Sequence, residues 1–155
     1  MWNKRGFTLI ELMVVVIVLS IGIIGVMNSI WQVFIYAKLL SSKLTAAYLA
    51  QEGIEIVRNI RDTNWVEGAV WDEGLELTGD FEADYDDPGL SFYGNGYLRI
   101  DGGFYNYNLG EETKFKRKIN IQKDTDEISV LVEVIWQEGG KEYQIEVFEK
   151  LYKWR

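Results

Sequence analysis

From Phe7 to Met27 the only polar side chains are Thr8, Glu11 and Ser20. A run this long and this apolar constrains the fold more than any other feature of the chain. Its 21 residues, at 1.5 Å of rise each, make a helix of roughly 30 Å, the thickness of a bilayer's hydrocarbon core. Apolar character resumes at Ile30 and runs through Trp31, Val33, Phe34, Ile35 and Tyr36, and Trp31 and Tyr36 fall where an interfacial aromatic belt is expected. A secretory signal has a shorter apolar core with small residues at its outer end, which Trp31 to Tyr36 do not resemble. A buried core helix fits poorly, because one small domain has too little surface to cover a helix apolar on all sides. Lys4 and Arg5 precede the run, so the positive-inside rule keeps Met1 cytoplasmic and sends the residues after about 38 outside.

Glu11 is the residue that a plain membrane anchor explains worst. A carboxylate near the end of a membrane helix costs up to about 3 kcal/mol and marks a functional position by default. It needs a positive partner, and no Lys or Arg follows it until Lys38.

The stretch Lys4-Arg5-Gly6-Phe7-Thr8-Leu9-Ile10-Glu11-Leu12 resembles the processing site of type IV prepilins and of the pseudopilins of type II secretion. The resemblance implies cleavage after Gly6 by a dedicated membrane peptidase and methylation of the new terminal amine on Phe7. It also implies that Glu11 pairs with the terminal amine of a neighbouring subunit during assembly, which supplies the missing cation. Gly22 and Gly25 either loosen the apolar helix, as members of this family do near a Gly and a Pro, or let helices pack closely.

Past the apolar segment, Leu40, Leu44, Ala47, Ala50, Ile54, Val57 and Ile60 recur at spacings of three and four. This predicts a helical stripe, with Glu52, Glu55, Arg58 and Arg61 among the residues on the remaining faces. No proline interrupts the chain before Pro88, so one helix is expected from about Phe7 to Asn64, and Glu55 is spaced to pair with Arg58. Residues 66–112 read as loop with short strands, rich in Gly and aromatics. Further on, Phe115, Arg117, Ile119 and Ile121 alternate with Lys116, Lys118 and Asn120. Ile128, Val130, Val132, Val134 and Trp136 share one parity, with Leu131 and Ile135 making that strand apolar on both faces. After a turn at 137–141, Tyr143, Ile145, Val147, Glu149 and Leu151 define a last strand, with Trp154 near its end.

The fold expected is therefore α+β and pilin-like. One long amino-terminal helix, apolar in its first half and amphipathic in its second, packs on an antiparallel meander. The organisation expected is a leader at 1–6, a membrane or filament-core half-helix at 7–37, and a head at 38–155. Within the head the helix runs to about 64, an acidic variable region covers 66–112 and the meander covers 113–154.

Composition then narrows the functions. The chain has no His and no Cys, which removes thiol nucleophiles, disulfides, His-based triads and the usual zinc sites. Many pilins close the head with a disulfide, and this chain departs from them there. The formal net charge of −8 argues against nucleic acid as a partner. It is unevenly placed: residues 1–61 carry +3, residues 62–112 carry −12 and residues 113–155 carry +1. The alternating acids of Asp80, Glu82, Asp84, Asp86 and Asp87 suit either a solvated loop or a calcium ion, the one cofactor the composition suggests. Tyr85 stands where an EF-hand needs Gly, so that motif is absent.

The function expected is a non-enzymatic subunit of a type IV pilus or a type II secretion-like pseudopilus, of the minor kind. Its partners are other subunits, the prepilin peptidase, a membrane assembly platform and the lipid bilayer. Its location is the cytoplasmic membrane, single-pass with the head outside, and then an extracytoplasmic filament. The competing expectation is a membrane-tethered binding module for carbohydrate or cations, using Asp84-Tyr85-Asp86, Phe92-Tyr93 and Phe104-Tyr105-Asn106-Tyr107.

Overall fold

A computed structural model of the chain describes Gly6 and residues 8–153. Lys4, Arg5, Phe7 and Trp154 lie outside the described residues. The chain divides into two compact units between Ser41 and Ser42. A single helix, α1 (Leu9–Glu67), contributes to both.

In the first unit every described residue from Leu9 to Lys38 is exposed. Among the described residues this helix is the one element long and apolar enough to cross a membrane. Two of its hydroxyls are satisfied within the helix, as suits a water-free surrounding. Ser20 Oγ donates to the Val16 carbonyl at 2.7 Å and Ser29 Oγ to the Gly25 carbonyl at 3.0 Å. The helix is unbroken through Gly22 and Gly25, where an added Cβ would meet nothing within 4 Å.

In the second unit, α1 packs on an antiparallel sheet. Among the described residues eight strands follow it: β1 (Gly79–Glu82), β2 (Ser91–Phe92), β3 (Arg99–Asp101), β4 (Phe104–Asn106), β5 (Glu111–Glu112), β6 (Phe115–Lys123), β7 (Glu127–Glu138) and β8 (Lys141–Tyr152). The main sheet has the order β2-β1-β6-β7-β8, and a smaller one has the order β4-β3-β5. The expected meander is β6-β7-β8, and β7 has neighbours on both sides as its two apolar faces require. Gly139 and Gly140, both at positive φ, close the β7–β8 hairpin in two residues. The meander is extended by β1, which pairs Phe81 with Ile119 and so draws part of the acidic region into the sheet.

The inward parity of β6 and β7 holds. Phe115, Arg117, Ile119 and Ile121 are buried, as are Ile128, Val130, Val132, Val134 and Trp136. The expected helix stripe needs correction. Leu40 and Leu44 are exposed and Ala47 is only half-buried, whereas Ser42, Ala46, Leu49, Ala50, Gly53, Ile54, Ile56, Val57, Ile60 and Arg61 are buried. The reason is angular drift. At about 100° per residue, positions 40 and 60 lie about 160° apart around the helix, so one straight stripe cannot hold both. Arg61 is buried rather than on an outer face, and its Nη2 pairs with Asp62 at 2.8 Å.

The helix ends three residues beyond Asn64, and Gly68 explains where. At φ 72° it sits one residue past the end. Its amide donates to the Trp65 carbonyl, and the Ala69 amide donates to the Asn64 carbonyl. This is a Schellman motif, which satisfies two of the last carbonyls.

At Gly53 helix and sheet approach closely. A Cβ there would lie 2.8 Å from Val132 Cγ1 and 3.4 Å from Arg117 Cδ. A glycine in a helix interior costs about 1 kcal/mol against Ala, and this contact is what it provides in return. Gly53→Ala is therefore expected to destabilise the head by about 1 kcal/mol, because overpacking a stiff buried Val by roughly 1–3 kcal/mol outweighs the helix gain. The check is the urea midpoint of the full chain in detergent, followed by Trp fluorescence. Gly22→Ala, facing open space, is the matched substitution and should leave that midpoint unchanged.

Candidate functional site

Two regions carry candidate residues: the start of α1 and the acidic turns of the head. At the first, Thr8 occupies the N-cap of α1. Its Oγ1 accepts the Glu11 amide at 3.3 Å, and its carbonyl accepts the Leu12 amide at 3.1 Å. Thr-x-x-Glu is the capping-box spacing, which satisfies an amide that the helix itself leaves unpaired. Glu11 thus stands in the first turn, near the positive end of the helix dipole. Its side chain is exposed, as is Gly6, and a Cβ on Gly6 would meet nothing within 4 Å.

The acidic residues divide between a strand and the turn that follows it. Asp80 and Glu82 lie on β1 on either side of the buried Phe81, and each has its own partner. Asn120 Nδ2 donates to Asp80 Oδ1 at 2.7 Å, and the Gly94 amide donates to Glu82 Oε2 at 2.8 Å. Their alternation is strand periodicity. Asp84 turns inward and is buried, and its carboxylate accepts the Tyr107 amide at 3.0 Å and Asn108 Nδ2 at 3.4 Å. Burial, with the negative charge of Asp87 beside it, raises the Asp84 carboxyl above the usual carboxylate value. Asp87 in turn accepts the Asp84 amide at 2.7 Å. Among the described residues no three acidic side chains gather as a metal would require.

What the turns do form is a concavity of about 480 Å³. Its lining includes Asp84, Tyr85, Asp86 and Asp87 from one turn, and Asp101, Phe104 and Asn106 from the β3–β4 hairpin. Two of the three aromatic-acidic segments picked out in the sequence meet here. The third does not: Phe92 stacks on Phe81 at 5.5 Å and the Tyr93 hydroxyl donates to Asn95 Oδ1. Asp101 was not singled out in the sequence, although Asp101-Gly102-Gly103 is a recognisable hairpin turn that brings it there.

Arg117 holds these turns to the helix. It is fully buried on the inner face of β6. Its guanidinium donates to Glu52 Oε1 at 2.9 Å, to the Ala83 carbonyl at 2.6 Å and to the Leu49 carbonyl at 3.4 Å. Tyr107 lies 5.9 Å from it ring to cation, and the Tyr107 hydroxyl donates to the Arg117 carbonyl at 2.9 Å. Burial pushes that hydroxyl up to about 12, so it remains a donor at neutral pH. Arg58 makes a second strap, pairing with Glu55 as the spacing predicts and reaching Glu149 on β8 through both carboxylate oxygens at 2.7 and 2.6 Å.

No curated protein and no solved structure matches the chain. A family model described as the prokaryotic N-terminal methylation motif matches residues 3–27. That stretch contains the Gly-Phe-Thr-Leu-Ile-Glu sequence, the capped helix start and most of the exposed apolar run. The motif's family is structural rather than catalytic, and with the apolar helix it suits a membrane-anchored, single-pass protein. Residues 3–27 thus carry the prokaryotic N-terminal methylation motif, which supports a protein of the type IV prepilin and pseudopilin type, and they open an α+β fold in which one long helix packs against antiparallel sheets.

Proposed function

We propose that the chain is a structural subunit of a type IV pilus or a type II secretion-like pseudopilus, and a minor one. The observation that carries the reading is the wholly exposed apolar half of α1, from Leu9 to Lys38. Such a surface has no place in water, and it stays out of water both in a bilayer before assembly and among its copies in a filament core. Residues 1–6 are then a leader removed on processing, 7–37 the membrane and filament-core segment, and 38–155 the head outside the membrane. Glu11 pairs with the terminal amine of Phe7 in a neighbouring subunit and fixes axial register, the best-supported role of a charge pair in an apolar core. The partners proposed are other subunits, the prepilin peptidase and the membrane assembly platform.

Processing is the direct test. Gly6 is the small residue between the basic leader and the apolar run, and among the described residues nothing lies within 4 Å of a Cβ placed on it. Mass spectrometry of the membrane fraction from cells holding the peptidase should show loss of residues 1–6 and one added methyl on Phe7. Gly6→Ala should be cut more readily than Gly6→Val, because a peptidase fitted to bare backbone admits a methyl before a branched side chain. A chain that keeps its leader, or one cut beyond Met27, would overturn the reading.

A further inference from the structure

The concavity of the head has walls that are built rather than loose. Asp84 ties its turn to the Tyr107 and Asn108 segment, and Asn106 Oδ1 accepts the amides of Asn108 and Leu109 at 2.9 and 2.6 Å. Gly110, at φ 92°, lets the chain return so closely that a Cβ would fall 2.1 Å from the Ile100 carbonyl oxygen.

On these walls Tyr85 and Phe104 stack at 5.1 Å with 26° between their planes, yet they remain 50% and 58% exposed. Aromatic pairs gain most by burial, and this one stays at the rim of a pocket. Beside it stand Asp86 and Asp101, neither with a hydrogen-bond or ion-pair partner among the described residues. Neither Lys nor Arg lines the pocket. A hard divalent cation needs several converging carboxylates, and these do not converge. A neutral sugar can stack on aromatic faces and donate hydroxyls to carboxylates, but it leaves their negative charge uncompensated. A cation with apolar substituents uses both, since it is drawn to the π-faces and to the negative field. The volume of about 480 Å³ is that of a small-ligand pocket.

We propose that this pocket binds an organic ammonium group, with Tyr85 and Phe104 as its aromatic wall and Asp86 and Asp101 as its counter-charge.

The test uses the full chain in a polyoxyethylene detergent at fixed ionic strength. Choline, N-acetyl-lysine amide and 3,3-dimethylbutan-1-ol, the uncharged isostere of choline, are titrated by saturation-transfer NMR. Saturable binding of choline or of the lysine amide is expected, and which binds tighter assigns a quaternary or a primary ammonium. The isostere should bind at least about tenfold more weakly, and Phe104→Ala should weaken the cation by about fivefold by removing half of the stacked aromatic wall. The double change Asp86→Asn, Asp101→Asn should weaken the cation and flatten its salt dependence. All these side chains are exposed, so the variants should keep the parent's urea midpoint, which confirms the fold. Equal binding of the isostere, affinity unchanged in folded variants, or no saturable binding of either cation would overturn the proposal.

Discussion

Glu11→Gln should remove this subunit from filaments while leaving its level in the membrane unchanged or higher. Insertion improves because a desolvation cost at the edge of the bilayer disappears. Assembly fails because the Phe7 amine of a neighbour then enters an apolar core without a counter-charge, and an unpaired buried charge costs about 3–5 kcal/mol. Even the lower figure corresponds to a loss of about a hundredfold in incorporation. The readout is the sheared filament fraction probed for this subunit, with membrane level as control. At a filament tip, where no subunit sits above, the same change should appear as loss of filament initiation.

The geometry makes this substitution clean. The hydrogen bond to Thr8 Oγ1 is donated by the backbone amide of Glu11, not by its carboxylate. Gln therefore keeps the cap, the size and the hydrogen-bonding capacity, and deletes only the charge. Thr8→Ala does the converse: it removes the cap, at about 1 kcal/mol, and keeps the charge. If assembly needs the charge, Glu11→Gln should be far the more severe of the two. Normal incorporation of the Gln variant, or equal defects in both, would refute the charge-pair role and leave Glu11 as a helix-start residue.

The legible parts of this protein are those where one physical period governs the chain. The apolar run fixed the first half of α1, and period two fixed the inward faces of β6 and β7, with Arg117 on the buried parity among the apolar residues. What was lost was lost where two periods or two distances compete. A stripe drawn at threes and fours drifted around the helix, and Leu40 and Leu44 came out exposed. The alternating acids at 80–84 read as a loop, because alternation shows a strand only when its neighbour is known, and β1 finds its neighbour 38 residues on, where Phe81 pairs with Ile119. The pocket lay in two segments that a sequence gives no means to join. Asp84 joins them through the Tyr107 amide, 23 residues away. Gly53 was legible as a cost to the helix but not as a contact, since its reason is a Val on another element.

Arg117→Ala should be the most destabilising single change in the head, by about 3 kcal/mol, the lower end of the range for breaking a buried pair because Glu52 keeps a third of its side-chain surface in solvent. The guanidinium ties three elements together: Leu49 and Glu52 on α1, Ala83 beyond β1, and its own strand β6. Truncation leaves the Ala83 carbonyl unpaired and opens a cavity below Val132 and Gly53, which adds to the cost. Arg117→Met separates the two contributions. It refills the volume but restores no hydrogen bond, so it should recover part of the stability while the Ala83 turn stays loose. Arg117→Lys should fare no better than Met, since one ammonium on a single stem cannot reach the Glu52 carboxylate and the Ala83 carbonyl as the planar fork does. Urea midpoints for the three variants give the order, and hydrogen exchange at Asp84 and Tyr107 reads the turn. An Ala variant as stable as the parent would mean that the ion pair only replaces what water would supply, and that the head is held by its apolar core alone.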